Sequence, residues 1–316
     1  MAKGSTARRP PVRRRPGSPA TRASAAAGPA PTWIGGARPR TLPLAIAPVA
    51  LGTAAVWSQR IEGRYWLALL ALAVALLLQI GVNFANDYSD GVRGTDAHRV
   101  GPARLTASGR VAPRTVLRVA LVCFGLAAIA GLIIVIVTQQ WWLLAVGAAA
   151  LAAAWFYTGG RRPYGYAGLG EVAVFLFFGL AATAGTSFVI TGLVNDVSWL
   201  CAVAIGCIAS AVLVVNNLRD IDQDRAAGKR TLSVRIGSRG SRILYAVLML
   251  VPFVVVGLLA IVYPEAALAL LVLLVAIPAI VITATAKTAR ELIIALSLTG
   301  LTALLYGLGL AAALSV

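Results

Sequence analysis

Charged side chains are scarce in this chain. Only 12% of its 316 residues are Asp, Glu, Lys or Arg, against about 25% in soluble globular domains. The deficit excludes an ordinary soluble core, and 59% of the residues are hydrophobic. Acids are the rarest charged type, with 11 against 28 Lys and Arg. Histidine occurs once, as His98 in a loop, where it reads as a solvated side chain. The three cysteines, Cys123, Cys201 and Cys207, all lie inside apolar runs. Without close spacing or histidine partners they exclude a metal or disulfide framework and read as packing residues. Alternating ten-residue strands are missing, which excludes a membrane barrel. No apolar segment closely follows the first arginines, so neither a secretory nor a twin-Arg signal is expected.

What is present is a series of long apolar runs. Nine of them cover roughly 41–57, 65–87, 116–137, 141–157, 168–192, 198–218, 243–263, 265–284 and 291–314. Runs of about 20 apolar residues cross a bilayer as helices, because lipid offers the backbone no hydrogen-bond partners. The fold class expected is therefore an all-α integral membrane bundle of nine transmembrane helices around a central cavity. Residues 33–316 form that domain. Residues 1–32, rich in Arg, Pro, Ala, Ser and Gly, form a basic tail too polar to fold on its own. The tail fits a surface near anionic lipid better than a nucleic-acid partner. Of the 28 Lys and Arg, all but Arg60 and Arg64 fall in the tail or in the loops after even-numbered runs. The positive-inside rule then places the N-terminus and those loops in the cytoplasm, in a protein of the cell membrane.

More than half of the 11 acids fall in two short clusters. The first runs from Asn83 through Asn86, Asp87 and Asp90 to Asp96. The second runs from Asn216 and Asn217 through Asp220, Asp222 and Asp224 to Lys229 and Arg230. Asn83, Asp87 and Asp90 are spaced i, i+4, i+7, and Asn216, Asp220 and Asp224 are spaced i, i+4, i+8, so each set shares one helix face. Asp222 points elsewhere. Two carboxylates about 6 Å apart repel by roughly 3 kcal/mol at an effective dielectric near 20. Mg²⁺ is a well-matched partner, since it takes oxygen ligands and is commonly shared with substrate phosphates. Arg93, Arg99 and Arg104 after the first cluster, and Lys229 and Arg230 after the second, then read as anion binders.

With these residues in view, the chain resembles the UbiA-type intramembrane prenyltransferases. Asn86-Asp87-Tyr88-Ser89-Asp90 with Gly94-Thr95-Asp96 is similar to that superfamily's first Asp-rich motif. Asn217-Leu218-Arg219-Asp220, Asp224 and Gly228-Lys229-Arg230-Thr231-Leu232 are similar to its second. Ala37-Arg38-Pro39-Arg40-Thr41-Leu42-Pro43, Gly101-Pro102 through Gly109, and Tyr157-Thr158-Gly159-Gly160 extend the likeness over about residues 33–316. Within the superfamily the pattern most resembles the dihydroxynaphthoate branch.

The resemblance implies a fold of nine helices and a Mg²⁺-dependent transfer from a polyprenyl diphosphate to dihydroxynaphthoate, with loss of CO₂. It implies Asp87, Asp90, Asp220 and Asp224 as metal ligands, with Asn83, Asn86, Asn217 and Asp96 assisting. Arg93, Arg104, Lys229 and Arg230 would clamp the leaving diphosphate. Tyr88, Tyr157, Phe175 and Phe178 are candidates to face the allyl cation, and Arg38, Arg40 or Arg162 to meet the acceptor carboxylate. Glu171 stands either on the acceptor side or as a residue favoured by a helix N-terminus. Other acceptors, such as 4-hydroxybenzoate, protohaem, a chlorophyll precursor or a sugar phosphate, remain open. An ion-coupled transporter is disfavoured, because its acids belong at the bilayer midplane rather than at helix ends.

Overall fold

Nearly every long apolar run becomes a helix for the reason given above: in lipid the backbone must bond to itself. The structure is a computed structural model that describes residues 31–94 and 104–316. Asp96, His98 and Arg99 lie outside the described residues, as does most of the basic tail.

Thr32 caps a short helix, α1 (Trp33–Ala37), by accepting from the Gly35 amide at 3.0 Å. A 3₁₀ turn, Pro39–Thr41, leads into α2 (Pro43–Trp57), which is bent by 45° from the segment before it. Then follow α3 (Leu67–Arg93), stopped by Gly94 at φ 72, and α4 (Pro113–Thr138), started by Pro113 at its first position. The next helix, α5 (Leu143–Phe156), has 14 residues. A 3₁₀ turn, Tyr164–Ala167, precedes α6 (Gly170–Val174), a π-helical stretch Phe175–Ala181 and α7 (Ala182–Thr191), which run on as one rod. After α8 (Asp196–Arg219) and the short α9 (Ile221–Ala226) comes α10 (Leu232–Leu259), broken at Gly237 (φ 74, ψ 174), a conformation open only to glycine. A 3₁₀ stretch, Pro264–Val272, α11 (Leu273–Thr285) and α12 (Ala289–Leu314) complete the chain. Thr288 and Glu291 form a capping box at the start of α12.

Among the described residues, seven helices are long and apolar enough to cross a membrane, or eight if the bent segment with α2 is one span. The helix α5 differs from expectation. At 1.5 Å per residue it reaches about 21 Å, short of a hydrocarbon core of roughly 30 Å. Before it α4 ends at Gln139 (φ 57), and after it Tyr157 and Thr158 stand on the cavity wall.

The centre of the bundle is α8, whose Ile205, Ile208, Val214 and Val215 are fully buried. It packs on α2, α10 and α12. A second core joins α3 to α4 through Phe84, Leu105, Val116 and Phe124. The outer faces carry exposed Leu121, Val122, Ile129 and Ile133 on α4 and Leu268, Leu271 and Leu274 before and on α11, as lipid contact requires. Close approach of α2 to α7 depends on Gly52. A Cβ there would lie 2.3 Å from the Thr183 carbonyl oxygen. Gly52→Ala is therefore expected to cost about 1–3 kcal/mol through overpacking, seen as a lower Tm of the detergent-solubilised protein. An unchanged Tm would mean the two helices do not meet at this point.

Candidate active site

The last four turns of α3 put Gln79, Asn83, Asn86, Asp87 and Asp90 on the inside of the bundle, all buried. They line one cavity of about 870 Å³ together with Asn216, Asn217, Arg219, Asp220, Asp224 and Lys229 from the end of α8 and the segment after it. The two sequence clusters therefore face each other across a single space. The second does so with a modification. The helix breaks at Asp220 (φ −97, ψ 8), and α9 restarts it. The Asp224 amide still donates to the Asp220 carbonyl at 2.8 Å, which preserves the i, i+4 face across the break. Asp222 points out of the cavity, as its spacing required, and pairs with Arg225 at 3.6 Å on the exposed side.

One ammonium links the clusters. Lys229 Nζ lies 3.6 Å from Asp90 Oδ1 and 3.8 Å from Asp224 Oδ1, with all three side chains nearly buried. Gly228 (φ 73) makes the turn that brings Lys229 back to the cavity. Arg219 forms a two-pronged pair with Asp220 at 2.7 and 2.6 Å and donates to Asn216 Oδ1 at 2.9 Å. Asp87 accepts the backbone amides of Leu105 (2.9 Å) and Thr106 (2.8 Å), one on each oxygen, and so ties the loop after α3 to the cavity wall. Asn86 accepts from the Thr158 hydroxyl at 2.7 Å, and Asn217 donates to Glu171 Oε1 at 2.9 Å. Asn83 donates to the Ala37 carbonyl at 2.9 Å and to Thr41 Oγ1 at 3.0 Å. Thr41 in turn donates to the Arg38 carbonyl at 2.9 Å. That chain of bonds holds Arg38 in the left-handed region (φ 52), a conformation costing about 1–2 kcal/mol for a residue with a Cβ. Arg38 lines the cavity, and its Nη2 is buried with no hydrogen-bond partner among the described residues.

Two expected anion binders stand elsewhere. Arg93 is not on the cavity wall, because its guanidinium donates to the Thr158 and Gly160 carbonyls and ties α3 to the loop after α5. The Arg230 side chain is exposed and also off the wall. Arg104 and Arg40 do line the cavity, as do Tyr157 and Phe178. Phe175 packs against Gly206 instead, and Phe177 takes a place beside Phe178. Tyr164 and Tyr166, which spacing does not single out, also line the wall. Tyr164 donates to the Ala153 carbonyl at 2.9 Å, and burial pushes its phenol up to about 12, so it stays a donor at neutral pH.

The donor set suits a hard cation. Every carboxylate on the wall offers oxygen only, and Lys229 already holds positive charge between Asp90 and Asp224. Among the described residues no three His, Cys, Asp or Glu side chains converge to hold an ion. Carboxylates at two facing helix ends suit Mg²⁺, which takes carboxylate oxygens together with substrate phosphates. Away from this polar end the wall turns apolar, with Val74, Leu78, Ile134, Val135, Leu143 and Val189. Anionic head and greasy tail thus have matching surfaces in one cavity, inside a helical membrane bundle.

An all-helical membrane protein with such a site has known counterparts. Residues 45–291 match the UbiA prenyltransferase family, and the chain belongs to it. A 1,4-dihydroxy-2-naphthoate octaprenyltransferase of Mycobacterium tuberculosis is 49% identical over 284 residues, covering 90% of this chain and 96% of that one. The enzyme of the same name in Escherichia coli is 38% identical over 226 residues, covering 69% and 72%. The fold is shared with a UbiA homolog from Aeropyrum pernix (TM-score 0.63, 17% identity, 83% of this chain and 96% of that one). It is also shared with a UbiA homolog from Archaeoglobus fulgidus bound to GPP and Mg²⁺ (TM-score 0.62, 16% identity, 90% and 99%).

Proposed function

We propose that this prenyltransferase moves a polyprenyl group from its diphosphate to 1,4-dihydroxy-2-naphthoate, with loss of diphosphate and CO₂. The observation that carries this is the pairing of both Asp clusters through Lys229 at the polar end of an otherwise apolar cavity. The names of the related proteins supply the acceptor.

Asp87, Asp90, Asp220 and Asp224, with Asn83, Asn86 and Asn217 on the same wall, would hold Mg²⁺, which would supply charge stabilisation for the departing diphosphate. Lys229 and Arg104 add fixed positive charge on the same side. Asp87 serves in addition by holding Leu105 and Thr106, and Arg93 and Arg230 shape the surrounding loops. The isoprenoid lies along the apolar wall, where water is excluded and the allylic C1–O bond breaks without hydrolysis of the cation. The faces of Tyr157, Phe177 and Phe178 stabilise that cation. The ring carbon bearing the carboxylate attacks C1, and the carboxylate leaves as CO₂. Arg38 meets the acceptor carboxylate with its buried Nη2, which has no partner among the described residues. By the positive-inside rule the polar end opens to the cytoplasm, with the N-terminus on that side, and the short α5 and the bent α1–α2 segment complete nine crossings.

The test is an acceptor panel. Purified full-length protein with Mg²⁺ and one labelled polyprenyl diphosphate is given dihydroxynaphthoate, 4-hydroxybenzoate and protohaem in competition. Label is expected in the naphthoate product, and a preference for another acceptor would sink the assignment. A hydrogen bond to a charged group contributes about 1.5–3 kcal/mol. Arg38→Ala is therefore expected to raise the acceptor KM at least about tenfold and to leave the diphosphate KM in place. Equal changes in both would remove Arg38 from the acceptor side.

A further inference from the structure

The geometry points to Tyr166 as a positioning residue that sets both halves of the diphosphate site at once, an inference that rests on the prenyl-diphosphate reading above. Tyr166 sits on the 3₁₀ turn between α5 and α6, outside both Asp clusters. Its hydroxyl donates to Asp90 Oδ1, the same oxygen that Lys229 approaches. Lys229 Nζ stands 4.5 Å over the centre of its ring, within range of a cation–π attraction. Its carbonyl accepts the Arg230 amide at 2.8 Å, which anchors the backbone that carries Lys229. Arg93, at 5.7 Å from the ring centre, joins the same turn to the end of α3.

One side chain thus touches the first cluster through its hydroxyl and the second through its ring. Each contact has a chemical consequence. A hydrogen bond from a phenol fixes the rotation of a carboxylate and occupies one oxygen, so Asp90 offers its other oxygen in a set direction. An aromatic face holds an ammonium without neutralising it, so Lys229 keeps its charge for an incoming phosphate. A lysine stem has four rotatable carbons, and without the ring the ammonium has many alternatives. Its side-chain contacts go to Asp90 and Lys229, the groups assigned to the diphosphate, so its effect belongs to diphosphate binding.

Two variants separate its parts. Tyr166→Phe keeps the ring and removes the hydroxyl, and Tyr166→Leu removes both. The readout is isothermal titration of inorganic pyrophosphate into the detergent-solubilised full-length protein at saturating Mg²⁺, followed by KM values for both substrates. Tyr166→Phe is expected to weaken pyrophosphate binding about fivefold to tenfold, the scale of one hydrogen bond to a carboxylate. Tyr166→Leu is expected to weaken it at least about thirtyfold, as the cation–π contact is lost too. The KM for polyprenyl diphosphate should rise in step, with the acceptor KM unmoved. Wild-type affinity in both variants would overturn the inference. So would an acceptor KM that shifts as far as the diphosphate KM, because that is the mark of general loosening. A wild-type protein that binds pyrophosphate but does not prenylate dihydroxynaphthoate would refute the acceptor assignment and leave the variants' affinities to decide Tyr166.

Discussion

Asp224→Asn is expected to lower prenyl transfer at least about a hundredfold, the usual scale for losing one charge stabiliser of a transition state. The substitution is isosteric, so the cavity keeps its shape. What it removes is a negative charge from a buried position shared with Lys229. On the proposed assignment Mg²⁺ would lose a hard anionic ligand, and an amide oxygen is a weaker one. The neighbouring cluster residue supplies the control. Asp222 is two positions away but exposed, with a single pair to Arg225 at 3.6 Å. Exposed pairs of this kind contribute little, so Asp222→Asn is expected to stay within about twofold of wild type. Rates at saturating Mg²⁺ for the two variants, measured side by side, check the assignment. Equal losses would mean that charge in the segment matters and the cavity does not.

The second large effect concerns the isoprenoid. Gly131 on α4 and Gly185 on α7 line the apolar part of the cavity, and a Cβ on either would meet nothing within 4 Å. Neither has a positive φ, and neither lets two helices approach as Gly52 does. Glycine within a helix costs roughly 0.5–1 kcal/mol relative to alanine, so these positions stabilise nothing locally. What they leave is room. Gly131→Phe or Gly185→Phe is expected to cut transfer from octaprenyl diphosphate at least about tenfold, because the ring fills space the chain needs. Transfer from geranyl diphosphate, whose short tail stops nearer the carboxylates, should stay within about threefold. Product chain length resolved by chromatography checks this. A parallel loss with both donors would place the chain along a different wall.

How much of this was readable in advance depends on the range of each interaction. The inward set Asn83, Asp87 and Asp90 follows from helical period alone, because α3 runs unbroken to Arg93. The same period puts Asp224 on the inward face and Asp222 off it, and the cavity wall holds Asp224 and not Asp222: although the helix breaks at Asp220, the backbone bond from Asp224 to Asp220 carries the period through. Charge counting was a poorer guide to individual arginines. It located Arg93 and Arg230 near the clusters, but direction is decided by available carbonyls, and Arg93 found those of Thr158 and Gly160. The occupation of both Asp87 oxygens by Leu105 and Thr106 is a loop contact that no periodicity encodes. Tyr166 is invisible for the same reason: a 3₁₀ turn has no long face, and its partners lie 63 to 76 positions away. Phe177 shares the cavity face with Val174, Phe178 and Ala181 at the i, i+3, i+4, i+7 spacing of a helix, whereas Phe175 lies off that face against Gly206.

The most direct test of the central claim follows the acceptor's carboxyl group. Detergent-purified full-length protein, Mg²⁺, a polyprenyl diphosphate and dihydroxynaphthoate labelled in the carboxyl carbon are combined, and labelled CO₂, diphosphate and prenylated product are counted together. One CO₂ and one diphosphate per prenylated product, all abolished when Mg²⁺ is chelated, is the predicted result. A prenylated product that keeps its carboxyl label, or turnover that continues without the metal, would contradict it.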